Sequence, residues 1–510
     1  MQTSTGTTSF LEAMGGTKVK SLPAGKTLTE KGALSLETTG IARVNLFFKA
    51  CRGVGEEQLR ELLEAAWVEE PLDCLKLIFN GRDCRGGRGE RLVFWMAMKW
   101  LSEKEPGVVL ANIEVVPEYG RWEDLLGFIE FGDVFADRVA DLFATQLKLD
   151  LELMKEGKPC SLAAKWAPTE GRKHDKKNHA SALIRTKLGC TPRQYRVRYL
   201  TPLRSYLRVV EHYMCAREWC KIDYSKVPSV AMNRLKKAFA KNDEERFGEW
   251  KSALVSGTDP KVKVNASQVF LHDLVRPYMY VHHKDVVIEK QWEALVEEGQ
   301  ALSDSIVLSD VSASMNGTPM EVSIALGIFI SGMVAEPFKN QVITFHTNPT
   351  FFHLTGKSLH AKVKQLAGAP WGGSTNFQAV FDLILSRALG YEGTVKVRDA
   401  VAPEMMPKRL FVLSDMQFDV ADSGGNFMTN FEVIRAKYSS AGYQMPAIVF
   451  WNLRGNTYDF PVNALENGVS MVSGFSQDML KAVVRGKDMS PYGTMRAAID
   501  DKRYDALKLE

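Results

Sequence analysis

The sequence predicts a multidomain chain, an N-terminal all-α solenoid followed by a C-terminal α/β doubly wound domain. Three observations predict it. From about Ile41 to Met279 the apolar residues recur at helical spacing, and no strand-like alternation interrupts them. Past residue 300, short apolar runs alternate with helical stretches, the pattern of a largely parallel sheet covered on both faces. Several of those runs end directly in loops rich in Asp, Ser and Thr, at the strand ends where an open α/β sheet gathers its ligands.

Length and composition agree with that division. A chain of 510 residues is long for one core. Residues 1–35, rich in Thr, Ser and Gly and without the layout of a signal peptide, read as a flexible tail. Residues 36–290 form the helical domain, 300–490 the α/β domain and 491–510 a C-terminal extension, with the span from Val281 to Leu302 as linker. Hydrophobic content of 45% and charged content of 25% are ordinary for a soluble globular protein. No apolar run approaches the ~18 residues of a membrane span, so no membrane is expected. The seven cysteines all precede residue 221 and include no CxxC pair, which fits reduced thiols and a cytoplasmic location. Cys215 and Cys220 have no His at zinc-ligand spacing.

Within the helical half, Glu56 to Trp67 puts Leu59, Leu62, Leu63 and Ala66 on one face. Pro71 stands where a new helix can begin. Arg91 to Leu101 is apolar almost all round, as in a helix buried between neighbours. Further helices are predicted at Trp122–Ile129, Val134–Met154, Thr191–Ala216, Val230–Phe239 and Glu244–Leu254. Short turns join many of them, as in stacked antiparallel pairs, though no clean repeat at a fixed period is visible. In the second half, strands are predicted at 305–310, 341–346, 409–414, 446–452 and 468–472. Helices are predicted at 319–334, 376–389, 429–440 and 476–485, and long surface loops at 391–407 and 421–428.

Two segments of the helical half carry more charge than packing needs. Gly81 to Arg91 is a Gly-rich loop holding Arg82, Arg85, Arg88 and Arg91. Glycines allow close approach and guanidinium groups bind phosphate bidentately; a helix-connecting turn with solvated arginines is the plainer alternative. Between Cys160 and Lys241 there are 19 Lys and Arg against 5 Asp and Glu, a net of +14 inside a chain of net +4. Arg172, Lys173, Lys176 and Lys177 cluster in one loop, and Arg193, Arg196 and Arg198 interleave with Tyr195 and Tyr199. Cations can neutralise phosphates while tyrosines offer stacking surfaces, against the alternative of a solvated helix face. The candidate phosphate-binding residues are therefore Arg82, Arg85, Arg88, Arg172, Lys173, Lys176, Lys177, Arg193, Arg196 and Arg198.

The second half offers a metal site. Behind the run Ser305–Ser309 come Asp310, Ser312 and Ser314 on one loop; Gly372-Gly373-Ser374-Thr375-Asn376 and Leu413-Ser414-Asp415 repeat the situation. Carboxylate and hydroxyl oxygens at this spacing suit an octahedral divalent cation such as Mg²⁺. The alternative is that Asp310 and Asp415 merely cap the helices that follow.

That order of motifs resembles the von Willebrand factor A domain and its metal-ion-dependent adhesion site, over roughly residues 301–490. The resemblance implies that Asp310, Ser312, Ser314, Thr375 and Asp415 surround one divalent ion. It also implies an open coordination position for a partner's carboxylate, hence binding rather than catalysis. Asp419, nearby, is expected to be structural.

Arg82–Arg91, Tyr119-Gly-Arg-Trp-Glu-Asp-Leu125, Leu188-Gly-Cys-Thr-Pro-Arg-Gln-Tyr195 and Ile222-Asp-Tyr-Ser-Lys-Val-Pro-Ser229 resemble the Ro autoantigen (TROVE) group. They are closer to a related, poorly characterised family of cytosolic proteins. The likeness, over roughly residues 35–490, implies HEAT-like helices arranged as a ring that an A domain closes. It also implies binding of structured or single-stranded RNA.

Catalysis is not expected. A phosphotransferase with an Asp nucleophile would want an acid where Ser312 stands, and there is no G-x-S-x-G elbow. Gly25-Lys26-Thr27 and Gly356-Lys357-Ser358 look like P-loop endings, but Lys20 and Phe351 occupy the place of the opening glycine. The sequence thus points to a non-catalytic RNA-binding protein with a divalent-metal site. The alternative is a metal-dependent adaptor that grips an acidic residue of a protein partner.

Overall fold

A computed structural model describes residues 24–30, 34–280 except 173, 283–299, 302–344, 349–369, 377–392, 394–397, 399–417, 427–486 and 488–510. The first half is helical. It opens with α1 (Ala42–Lys49), α2 (Glu56–Glu69), α3 (Pro71–Arg82) and α4 (Arg91–Lys104). Pro71 occupies the first turn of α3, where its missing N–H costs no intrahelical bond. The predicted stripe of α2 buries Leu59, Leu63 and Ala66, and α4 buries Phe94, Met98 and Leu101. Next come α5 (Asp133–Lys155), α6 (Ala180–Leu188), α7 (Ser229–Asn242), α8 (Glu244–Ser256), α9 (Leu271–Tyr280) and α10 (Val286–Glu298).

Three expectations need correction. The helix predicted over Thr191–Ala216 is broken into a short turn, a π-helical stretch Tyr195–Leu200, and the helices Thr201–Tyr206 and Val210–Cys215. Pro202 gives the Arg198 carbonyl no N–H and crowds it, a clash that a widened turn relieves, and Arg208 takes a left-handed conformation (φ 51°) that ends the next helix. The span Val281–Leu302 is not merely a linker, because Asp285 caps α10 by accepting from the Val287 and Ile288 N–H groups. Residues 26–28 and 34–36, assigned to the flexible tail, pair as an antiparallel hairpin, and Leu36 bonds Phe460. The rest of that tail, residues 1–23, lies outside the described residues.

The second half is an α/β domain. Its sheet comprises β3 (Ser305–Ser309), β4 (Gln341–Thr344), β5 (Phe351–His353), β6 (Arg409–Ser414), β7 (Ala447–Asn452) and β8 (Val469–Ser473), the hairpin strands being β1 and β2. Laterally the order is β8-β7-β6-β3-β4-β5, parallel except for the short antiparallel edge strand β5, which the sequence pattern does not signal. The inner strands β3 and β4 are buried along their length, as expected of strands covered on both faces. Helices α11 (Thr318–Met333), α12 (Leu359–Ala367), α13 (Phe377–Ala388) and α14 (Phe427–Ser440) connect them.

The helical half both begins and ends on this domain. At its start, α1 terminates against the ends of β7 and β8. Ser473 donates to the Phe47 carbonyl and Asn452 to that of Phe48, supplying partners that the last turn of a helix lacks. At its end, Arg276 of α9 pairs with Glu321 of α11 at 2.7 Å, and Glu289 of α10 accepts from the Leu359 and His360 N–H groups that open α12. Residues 491–510 are no loose extension: Tyr504 stacks on Tyr119 and Arg503 pairs with buried Asp83. A second, separate core gathers around Tyr224, Phe239, Phe247 and Trp250.

His272 of α9 shows how this junction responds to pH. It is buried between Phe270 and Phe475, with Arg52, Arg276 and Asp273 facing it. Burial, then repulsion by Arg52 and Arg276, lowers its pKa to about 3. The folded state therefore keeps it neutral while the unfolded chain takes up a proton below pH ~6.5, so stability falls as pH drops from there toward 3. Between pH 7 and pH 5 this group is expected to cost about 2 kcal/mol. His272→Phe should flatten that part of the profile in urea titrations at the two pH values.

Candidate functional site

The sheet order places two acids side by side. From β3 the chain moves outward to β4 and β5, then returns to the other side of β3 with β6, so its direction reverses between β3 and β6. Such a reversal opens a crevice at the C-terminal strand ends. Asp310 follows β3 and Asp415 follows β6, and the Asp310 N–H donates to the Leu413 carbonyl at 2.9 Å.

Asp310 is buried, and both its oxygens are engaged. Oδ1 accepts from the Ser312 N–H (2.9 Å) and Oδ2 from the Ser414 hydroxyl (3.0 Å). Ser312 and Ser314 hydroxyls lie 3.0 Å apart at the rim. Asp415 is 1% exposed; its Oδ1 accepts from the Gln417 N–H, across Met416 in a left-handed conformation (φ 64°). Its Oδ2 is buried without a hydrogen bond among the described residues. The Arg454 guanidinium stands 3.7 Å from that oxygen, too far for a hydrogen bond, and 3.9 Å from Glu30. Burial raises the Asp310 pKa and the Asp415 charge adds to it, while bonds from Ser312 and Ser414 oppose the shift.

Two buried carboxylates with one orphaned oxygen and hydroxyls at the rim fit a hard divalent cation. Asp310, Ser312, Ser314 and Asp415 lie together at these strand ends, whereas Thr375 and Asp419 lie outside the described residues. Among the described residues no group of three or more His, Cys, Asp or Glu gathers, so hydroxyls must complete any ligand set. Sequence reasoning misses Ser414 as the partner of Asp310 and Arg454 as the charge facing Asp415. Arg454 follows β7, the strand beside β6, so the periodicity of the runs is its only available signal.

The basic candidates divide sharply. Arg82 and Arg88 are corrections, since both are buried. Arg82 grips Asp124 through Nε (2.9 Å) and Nη2 (2.6 Å), and Arg88 donates to the Phe47 and Ala50 carbonyls at 2.9 Å. Neither is open to a phosphate. Arg85 is exposed, but its Nη1 already donates to the Glu118 and Gly120 carbonyls. Tyr195, offered as a stacking surface, is 2% exposed and belongs to the core.

The remaining block is different. Arg172, Lys176, Arg193, Arg196 and Arg198 are exposed and form no ion pair among the described residues. Lys177 is exposed and pairs with Glu130 at 2.6 Å, while Lys173 lies outside the described residues. Asp175 ties the loop by accepting from the Gly171 and Ser181 N–H groups. Arg196 and Arg198 project from the π-helical stretch, flanking Val197, which is 61% exposed. All seven cysteines are free thiols, and among the described residues no helix is long and apolar enough to cross a membrane.

Comparison with known proteins gives a family without an assigned activity. A family described as a domain of unknown function (DUF2828) matches residues 29–132 and 130–304. A second domain of unknown function (DUF7788) matches residues 304–506, so the boundary falls where β3 begins. An uncharacterized protein of Acanthamoeba polyphaga mimivirus is 34% identical over 502 residues, covering 92% of this chain and 86% of its own. No solved structure matches. The chain therefore belongs to the DUF2828 family, with its helical half as that domain and a DUF7788 domain as its α/β half.

Proposed function

We propose that this chain is a non-catalytic RNA-binding protein of Ro-like architecture. In this reading the helical half is HEAT-like and the α/β half a von Willebrand A-type domain. One observation carries the reading: Arg193, Arg196 and Arg198 stand exposed around a π-helical turn, and neither they nor Arg172 and Lys176 form an ion pair among the described residues. Other cations of this block are neutralised by neighbours, as Lys187 is by Asp137 and Asp141. Cations that hold no ion pair concentrate positive potential that a polyanion can use.

Asp310, Ser312, Ser314 and Asp415, with Thr375, would hold Mg²⁺. The ion would supply positive charge for a protein carboxylate or a phosphate oxygen at the open end of the crevice. The second reading, a metal-dependent adaptor for an acidic partner, is favoured by the orphaned Asp415 oxygen at that crevice.

Salt and chelator separate the two. Under the first reading, RNA affinity falls steeply with salt and is largely indifferent to chelator, since the arginines carry most of it. Replacing Arg193, Arg196 and Arg198 together by alanine should weaken it about tenfold or more. The slope of log affinity against log salt should flatten by about two, since each phosphate contact contributes about 0.7. Crosslinking followed by sequencing should recover enriched RNA; recovery of none at physiological salt sinks this reading. Under the second, chelator abolishes partner capture and RNA binding stays weak and unselective.

A further inference from the structure

Away from the metal crevice and the π-helical turn, a groove of about 950 Å³ opens on the second core. It is bounded by the turns of residues 220–226, the segment 260–263 and one face of α8. We infer that this groove is a second contact site for the phosphodiester backbone of single-stranded RNA, with Lys221, Lys226, Lys261 and Lys263 as its ligands. The inference rests on the RNA-binding reading and extends it to lysines that are not among the candidate residues of the sequence.

The groove's walls are fixed by polar contacts that are partly buried. Arg246 donates to the Trp219 and Ile222 carbonyls and to Asp243, and its guanidinium lies over the Tyr224 ring. Asn265 donates to the Ser225 and Val227 carbonyls, holding that segment against the turn. The Trp250 indole donates to the Ser225 hydroxyl from the α8 side. The shape is therefore set before any ligand arrives, which lowers the ordering cost of binding.

Charge then decides the occupant. Five cations line the groove against two carboxylates, Asp223 and Glu249. Lys261 and Lys263 are exposed and form no ion pair among the described residues. Lys221 and Lys226 hold only exposed partners three residues away, weak pairs that an incoming anion can displace. Like charges gathered round a concavity focus the field and draw in an anion. Its volume is near the upper end of small-molecule sites, ~300–1,000 Å³, which suits an extended chain better than a single ion.

Arg246, the groove's only arginine among the described residues, is already committed to backbone carbonyls and Asp243, so the cations open to a ligand are lysines. Free lysines act as point charges that read a phosphate backbone without regard to sequence.

The test uses the full chain and a single-stranded homopolymer RNA at several salt concentrations. The double replacement Lys261→Glu with Lys263→Glu should weaken binding about tenfold or more. The milder Lys261→Gln with Lys263→Gln should fall in between and flatten the salt slope by about one. Both positions are exposed, and circular dichroism checks that the fold is kept. Unchanged affinity in the charge-reversed variant, alongside loss in the Arg193/Arg196/Arg198 variant, overturns the groove and leaves the proposed function standing. No RNA binding by the wild type overturns both. Equal competition by poly-glutamate for the groove overturns the phosphodiester assignment in favour of an acidic peptide.

Discussion

Arg88→Met is expected to destabilise the protein by about 3 kcal/mol or more, out of the ~5–15 kcal/mol typical of a folded domain. Arg88 is 1% exposed, and its guanidinium lies 5.2 Å from the Phe47 ring centroid. Its Nη1 donates to the Phe47 and Ala50 carbonyls, where α1 ends, and lies 3.3 Å from the Ser473 hydroxyl at the end of β8. Methionine fills similar space but donates nothing. Phe47 would keep its bond from Ser473, whereas the Ala50 carbonyl would lose the bond from Arg88. Arg88→Lys keeps the charge but not the planar fork, so it should recover only part of the loss. Chemical denaturation followed by circular dichroism measures both variants. An unchanged midpoint with a loss of RNA affinity would return Arg88 to the phosphate-binding surface and refute the buried role.

Magnesium is expected to stabilise the wild type by about 2.7 kcal/mol at a hundredfold excess over its dissociation constant, and Asp310→Asn hardly at all. The two carboxylates that make the site attractive to a cation also repel each other when no cation is present. The asparagine side chain would keep an oxygen for the Ser312 N–H while removing one buried charge. In chelator, Asp310→Asn should therefore be at least as stable as the wild type, by up to ~1 kcal/mol; in excess Mg²⁺ the order reverses. Ser314→Ala, at an exposed rim position, should weaken the metal effect without changing stability in chelator. Melting curves with Mg²⁺ and with chelator decide the matter. Equal magnesium shifts in wild type and Asp310→Asn would remove Asp310 from the ligand set.

The parts of the site that are legible in the sequence are those set by neighbouring residues. An apolar run followed at once by an acid places Asp310 after β3 and Asp415 after β6, because a buried strand must emerge at its end into a polar loop. The same locality misleads where a partner comes from elsewhere. The Gly-rich loop of Arg82 and Arg88 reads as an anion cradle, yet Asp124 is 42 residues from Arg82 and the Phe47 carbonyl 41 from Arg88. Tyr195 reads as a stacking surface among arginines, but packing turns its ring inward and leaves Arg196 and Arg198 outside. Asp285 before Val287, Ile288, Trp292 and Leu295 is a capping and periodicity signal for α10, hidden in a span whose position between two domains suggests a linker.

By itself the sequence determined the helical and α/β halves, the strands that carry both acids, and the excess of cations between Cys160 and Lys241. These depend on periodicity, capping and composition, which act over a few residues. Only the tertiary structure decided which cations are free. Burial and ion pairing depend on what packs alongside, and this took Arg82 and Arg88 into the core, paired Lys187 with α5, and left Arg193, Arg196, Arg198, Lys261 and Lys263 facing solvent.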